Sequence, residues 1–313
     1  MRLVRQNHKR AVKGMPGRGA RHARARAGLA VLAACAVASG CAAADARKAV
    51  EPAPGQQPLQ APPAPDSHAG KMRAAQAARV AMAKKWRLSK PPLLAPPAPA
   101  EKPVIRARKG FEVDGQENLP PVFTTVPTKD KVVFLTIDDG SEKDPAFLKM
   151  MSDLKIPYTA FLSNYLVKDD YGYFGKMQSR GVTLNNHTLT HPYLPGLSYA
   201  GQKREICGMQ NIMQKQYGER PALFRPPYGN YNRDTLRAAK SCGIKYAPIW
   251  NEEVYVDHVE WREKDRDLHP GDIILTHFRG RGEWKGTMPD MVRLLMKYVT
   301  DKGYAVARLE DYL

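Results

Sequence analysis

Lys131-Val132-Val133-Phe134-Leu135-Thr136-Ile137-Asp138-Asp139-Gly140 (KVVFLTIDDG) is an apolar, β-rich run that ends in two carboxylates and a glycine. The run reads as a strand buried on both faces. A helix start follows, with Asp144 as the cap and Pro145 at the first helical position. Phe147, Met150, Met151 and Leu154 then recur at the spacing of one helix face. The same rhythm continues down the chain. Tyr158–Leu162, Val182–Asn185, Leu223–Arg225, Lys245–Trp250, Ile273–His277 and Tyr304–Arg308 read as strands. Tyr173–Arg180, Ser198–Tyr217, Arg233–Ser241 and Met288–Lys302 read as helices. Strands alternating with helices predict an α/β fold, either a mainly parallel sheet or a (β/α) barrel. Chemistry then belongs at the C-terminal ends of the strands.

Four strand ends carry polar clusters: Thr136–Gly140, Asn185–His191, Phe224–Gly229 and Leu275–His277. His187 and His191, four residues apart, reach one ion if they sit on a helical turn, and a neighbouring carboxylate completes an N,N,O set. Each cluster alone is a weak signal. All four together, in this order, resemble the polysaccharide deacetylase family, also called the NodB-homology domain or carbohydrate esterase family 4. The resemblance runs over residues 131–313. It rests on Thr136-Ile137-Asp138-Asp139-Gly140, on His187-Thr188-Leu189-Thr190-His191, on Arg225-Pro226-Pro227-Tyr228-Gly229 and on Leu275-Thr276-His277. Ile137 replaces the family's usual aromatic residue, and Ser141 stands where Pro is common.

The resemblance implies a distorted (β/α)7 barrel and a metal-dependent removal of acetyl groups from an acetylated glycan. Asp139, His187 and His191 would hold a divalent metal, commonly Zn2+, with Co2+ or Ni2+ as substitutes. Asp138 would be the general base and His277 the general acid. Arg225 would pair with the base, and the backbone N–H of Tyr228 would hold the oxyanion. Leu275 shares a strand face with His277, so it walls a methyl pocket or simply fills core. The family also orients its acidic His with a carboxylate beside a Trp. Here Trp250–Trp261 (WNEEVYVDHVEW) offers Glu260, with Asp257 as a rival. Trp250 and Trp261 either stack on sugar rings or pack in the core.

The first third of the chain is different in kind. The chain has 313 residues, 49 Lys/Arg against 31 Asp/Glu, and a net charge of +18. Residues 1–110 hold 22 of the basic and 4 of the acidic residues, so the whole excess lies there. Residues 111–313 are neutral on balance, which argues against a nucleic-acid-binding domain. Residues 1–41 read as a signal peptide, starting at Met1 or Met15. A short apolar core runs to Ala38, and Ala38-Ser39-Gly40-Cys41 resembles a bacterial lipobox. Cys41 would then carry lipid, and the protein would be exported, anchored to the outer face of the membrane, and monomeric. Residues 42–110, rich in Ala, Pro, Lys and Arg, read as a disordered tether, with helix-forming composition over Ala69–Leu88. Residues 111–313 form the catalytic domain. Export favours a disulfide between Cys207 and Cys242, and two buried thiols are the other reading. Peptidoglycan is the substrate that such an address suggests. Chitooligosaccharides, acetylated xylan, or a non-catalytic wall-binding role are the alternatives.

Overall fold

The computed structural model describes residues 67–313, all within the unit spanning 61–313. The expected leader with Cys41, and tether residues 42–66, lie outside the described residues. The first described element is helix α1 (His68–Lys85), capped by Ser67. Next come β1 (Val122–Phe123), β2 (Val132–Asp139), α2 (Pro145–Leu154), β3 (Thr159–Leu162), the single turn α3 (Asn164–Val167), α4 (Tyr171–Gln178) and β4 (Thr183–Asn186). After these stand α5 (Tyr199–Tyr217), α6 (Arg233–Ser241), β5 (Ala247–Pro248), β6 (Glu252–Val254) and β7 (Val259–Trp261). The chain closes with β8 (Ile273–His277), α7 (Met288–Asp301) and β9 (Ala305–Ala307).

Strand β2 is the hub, and all eight of its residues are buried. One edge pairs in parallel with β8. The other edge is shared, since β9 takes Val132–Phe134 and β3 takes Thr136–Asp139, both parallel. Beyond β3 lies β4, and beyond β8 lie β6 and the antiparallel β7. The rest of the ring is thin. The expected strand Leu223–Arg225 is reduced to single bridges, Asn186 to Phe224 and Leu223 to Tyr246. The expected strand Lys245–Trp250 keeps only Ala247 and Pro248, paired with β1. A bridge from Thr125 to Asp272 returns the chain to β8. Pro226 and Pro227 directly after the first stretch, and Pro248 within the second, lack ladder donors, so neither stretch can extend its pairing. The result is the distorted (β/α) barrel that the sequence resemblance implies.

Alternation along β2 explains the placement of the site. Val133, Leu135 and Ile137 face outward into the main core, with Phe147 of α2 and Leu295 of α7. Val132 and Phe134 face inward and form an apolar floor with Phe161, Leu223 and Ile273. The next inward positions are Thr136 and Asp138, so the barrel turns polar toward the C-terminal strand ends. Cys207 of α5 and Cys242 at the end of α6 are joined by a disulfide. It ties together the two helices that flank the weakly paired Phe224–Arg225 segment.

The tether expectation needs correction for residues 67–110. Helix α1 stands where the composition read helix, but it packs on the barrel instead of standing clear. Met82, Trp86 and Leu88 lie against the main core. The Trp86 indole and Lys85 both donate to Asp153 at 2.9 Å. Leu93 bridges to Ala305 of β9, and Ile105 packs on the apolar floor. Arg108 reaches under the barrel, donating at 2.6 Å to Thr124 Oγ1 and to Asn251 Oδ1 and pairing with Glu263. Isolated large side chains in a polar segment suffice for docking when each meets a prepared surface. Composition averages over them and misses this.

Candidate active site

Each site residue is delivered by a strand end or by the loop beyond it. Asp138 and Asp139 are consecutive, and regular pleating would send them to opposite faces. Asp139 has φ 79°, in the left-handed region, and this turns its carboxylate toward the same mouth. Asp tolerates that region better than most side chains. Gly140 follows with φ +100°, and a Cβ there would meet Val167 at 2.5 Å, so only glycine fits.

His187 and His191 do not lie on a helical turn, contrary to the sequence expectation. They sit on an irregular loop after β4, with φ 74° at Thr188 and φ 57° at His191. The loop brings the two rings to 4.8 Å between centroids. It is pinned by Asn186 Oδ1 accepting from the Thr188 N–H and by Glu205 accepting from Thr190. Side-chain acceptors thus replace the bonds a helix would have made.

Asp139, His187 and His191 each offer a ligand atom, and these atoms lie within 4.8 Å of one another. Asp139 Oδ1 is buried with no hydrogen-bond partner, 3.7 Å from His187 Nε2 and 3.4 Å from His191 Nε2. His187 Nδ1 lies 2.7 Å from the carbonyl of Arg225. An N–H at Nδ1 donating to that carbonyl leaves the Nε2 lone pair facing Asp139. Burial, then His191 beside it, hold the His187 imidazole well below its ordinary value and so neutral. Burial works to raise Asp139, but His277, His191, His187 and Arg279 together bring it down to about 2. An ionised carboxylate, a neutral imidazole and an orphaned oxygen fit a divalent cation.

Asp138 and His277 flank this cluster and are register partners across β2 and β8. Arg225 is fully buried beneath them. Its Nη1 donates to Asp138 Oδ1 and to Thr136 Oγ1, both at 2.8 Å, and its Nε donates to the Pro248 carbonyl at 2.9 Å. Its guanidinium lies over Phe161, 4.4 Å from the ring centroid. Burial pushes the Asp138 carboxyl up to about 6 even though Arg225 pulls it down. Tyr228 turns the chain in the left-handed region with φ 61°, and its ring packs on His191 at 4.6 Å.

The carboxylate beside His277 is Glu253, and the expectation that Glu260 or Asp257 stands there is corrected. Glu253 Oε1 lies 3.2 Å from His277 Nδ1, both side chains being buried. Glu253 pairs in register with Leu275, which places it one strand over from the acid. Glu260 sits opposite Glu253 on β7 but is only half-buried and lies 3.8 Å from His258. Asp257 is exposed and bonds to His258 at 2.7 Å. Burial works against a charge on His277, but Glu253, then Asp139, outweigh it and hold its imidazole above the ordinary value.

The remaining expectations divide. Leu275 is buried two residues below His277 on the same face. Trp250 lies under the Arg225–Gly229 turn, where a Cβ on Gly229 would meet its ring at 3.1 Å. Arg225 and Arg262 also lie within 5.8 Å of its ring, so it supports the turn. Trp261 packs edge-on to Tyr298 of α7, outside the barrel, and is corrected as a sugar-stacking candidate. Sequence reasoning also missed Arg279, whose Nη2 lies 3.5 Å from Asp139 Oδ2. Its place two residues after His277 was the available signal.

Comparison with known proteins agrees with this geometry. The polysaccharide deacetylase family profile matches residues 125–247. An uncharacterized protein of Streptomyces coelicolor is 38% identical over 217 residues, covering 69% of this chain and 86% of that one. The chain belongs to the polysaccharide deacetylase family. Within that family, the peptidoglycan-N-acetylmuramic acid deacetylase PdaC of Bacillus subtilis is 30% identical, over 61% of this chain but only 41% of PdaC. The structure of a family 4 carbohydrate esterase from Bacillus anthracis superposes with a TM-score of 0.53 at 22% identity, over 70% of this chain and 98% of that one. That likeness establishes the deacetylase fold.

Proposed function

We propose that the chain is a metal-dependent N-deacetylase acting on N-acetylglucosamine-type residues, with peptidoglycan as the polymer. The observation that carries this reading is the register pairing of Asp138 with His277 across the Asp139, His187 and His191 cluster. A base and an acid stand on adjacent strands, with a cation site between them.

A divalent ion, Zn2+ by donor chemistry, with Co2+ or Ni2+ able to replace it, would be held by Asp139, His187 and His191 and would supply Lewis acidity at the amide carbonyl. Asp138 takes the proton of the attacking water. Its raised pKa makes it a better base than an exposed carboxylate, and Arg225 keeps it from staying protonated at neutral pH. The water oxygen forms a bond to the carbonyl carbon, and the Tyr228 N–H donates to the oxyanion. His277 Nε2 then gives a proton to the amide nitrogen while Glu253 holds the Nδ1 side of the ring. The C–N bond breaks, and acetate and a glucosamine-type amine leave. Leu275 lines the space for the methyl group.

Peptidoglycan is supported by PdaC, whose name states that it acts on that polymer, and by the export signals of residues 1–41. The address belongs to the same proposal: Cys41 carries lipid and holds a monomeric enzyme at the outer face of the cytoplasmic membrane. The test is an acetate-release panel with residues 67–313 on peptidoglycan, N-acetylglucosamine oligomers and acetylated xylan. Chelation should stop release, and Zn2+ or Co2+ should restore it. Release from xylan alone would make the chain an O-acetyl esterase. No release from any polymer by folded, metal-loaded protein would leave a non-catalytic wall-binding role. Cys41→Ser should free the full chain into the medium, and continued membrane retention would contradict the anchor.

A further inference from the structure

Helix α1 meets the barrel through its C-terminal half alone. Met82 and Trp86 pack on the main core, Ala83 is buried, and Arg79 donates to the Pro92 carbonyl. Residues 71–78, the turns before these, are exposed at every position. The outward side of the helix is uniform in charge. Helix α1 holds five basic side chains and no acid. Arg73, Ala77, Val80 and Lys84 recur at the i, i+4, i+7, i+11 spacing of one helix stripe, and all four are exposed. With about 3.6 residues per turn, that stripe points away from Arg79, Met82, Ala83 and Trp86. Among the described residues, Lys71, Arg73 and Lys84 have no ion-pair partner. The acids that the segment does meet are each shared with a second lysine: Asp153 by Lys85 and Lys149, and Asp301 by Lys90 and Lys297. Residues 67–110 hold 11 basic residues and 1 acidic one, while residues 111–313 balance. Folding therefore leaves a basic excess unneutralised beside α2 and α7, the helices that carry Asp153 and Asp301.

We propose that the outward face of α1 rests on an anionic lipid bilayer, with Arg73 and Lys84 over the headgroup phosphates and Val80 between them against the headgroup layer. The charges are complementary. Helix α1 is also the described element nearest in sequence to Cys41, the residue proposed to carry lipid. One valine between two cations is too little apolar surface for insertion, so the contact is electrostatic and weakens with salt. A soluble phosphate polymer would match the charge but leave Val80 in water, which favours the bilayer. The contact lays the barrel against the membrane without needing Cys41 or any deacetylase activity.

Sedimentation with vesicles tests this on residues 67–313, which lie within one compact unit and lack Cys41. Vesicles of phosphatidylglycerol mixed equally with phosphatidylcholine should carry the protein down at low salt and release it as salt rises. Vesicles of phosphatidylcholine alone should leave it in solution. Arg73→Gln and Lys84→Gln keep a good helix former at each position. Each should weaken partitioning into the anionic vesicles about fivefold, and the pair about twenty-fivefold. Lys203→Gln with Arg204→Gln removes the same charge from α5, which packs on α6 and β4, and should leave partitioning unchanged. Melting temperatures should stay at the wild-type value throughout, since all four side chains are exposed. Wild-type protein that ignores the anionic vesicles at low salt would overturn the proposal. An equal loss from the α5 pair would reduce the effect to net charge and overturn the assigned face. Binding to soluble polyphosphate without binding to the vesicles would overturn the bilayer and give the face to an anionic polymer.

Discussion

His277 shows how one neighbour sets the working range of a titrating group. In the proposed reaction its imidazole must be protonated to give a proton to the leaving nitrogen. Glu253 at 3.2 Å keeps it protonated above its ordinary pH range. Replacing that carboxylate with an amide removes the charge and keeps the shape. Glu253→Gln should therefore move the basic limb of the pH–rate profile to lower pH, because His277 then loses its proton earlier. The acidic limb, set by protonation of Asp138 near pH 6, should stay in place. A limb that does not move would remove Glu253 from the role given to it here. Asp138→Asn should lower kcat by about 10²- to 10⁴-fold, as for loss of a positioned base. Circular dichroism checks that the fold survives, because Arg225 keeps Thr136 and Pro248 as partners. The catalytic candidates were legible in sequence because each lies in a short contiguous motif. Glu253 was not, because its role depends on which strand lies beside β8, and chain distance does not state that. The loop geometry of His187 and His191 was also hidden, since positive φ at Thr188 and His191 leaves no signature in residue spacing.

At the scale of elements, the strand–helix rhythm was readable wherever both faces of an element have a clear task. Strand β2 and helices α2, α5 and α7 lie where the periodicity put them. The segments that close the barrel were overread as strands, because β-rich composition there serves packing while prolines interrupt the ladder. This thin wall, at Phe224–Arg225, is the part held by the Cys207–Cys242 bridge between α5 and α6. A crosslink over a separation of 35 residues constrains the unfolded chain substantially. Cys207→Ser with Cys242→Ser should lower stability by about 2–4 kcal/mol, read from the denaturant midpoint at constant m-value. Helix α1 and the segment after it are a second brace. Met82, Trp86, Leu88 and Ile105 leave water against the barrel, and Arg108 joins three polar groups beneath it. Protein starting at residue 111 should unfold at a lower temperature than protein starting at residue 67, by about 5 °C or more, from loss of the partly buried Met82, Trp86, Leu88 and Ile105 contacts. Equal melting temperatures would restore the reading of residues 67–110 as a passive spacer.

For the whole molecule, charge and chemistry are separated along the chain. The net +18 is carried by residues 1–110, while residues 111–313 balance and hold every catalytic candidate. On the proposed reading, the basic excess bears on where the protein works, and the strand-end clusters bear on what it does there. The most direct measurement is acetate release from peptidoglycan by residues 67–313, before and after chelation and after Zn2+ is returned. The account predicts release that stops on chelation, returns with the metal, and is absent from Asp138→Asn throughout. Folded, Zn2+-loaded protein that frees no acetate from peptidoglycan or N-acetylglucosamine oligomers, or release that persists without metal, would contradict it.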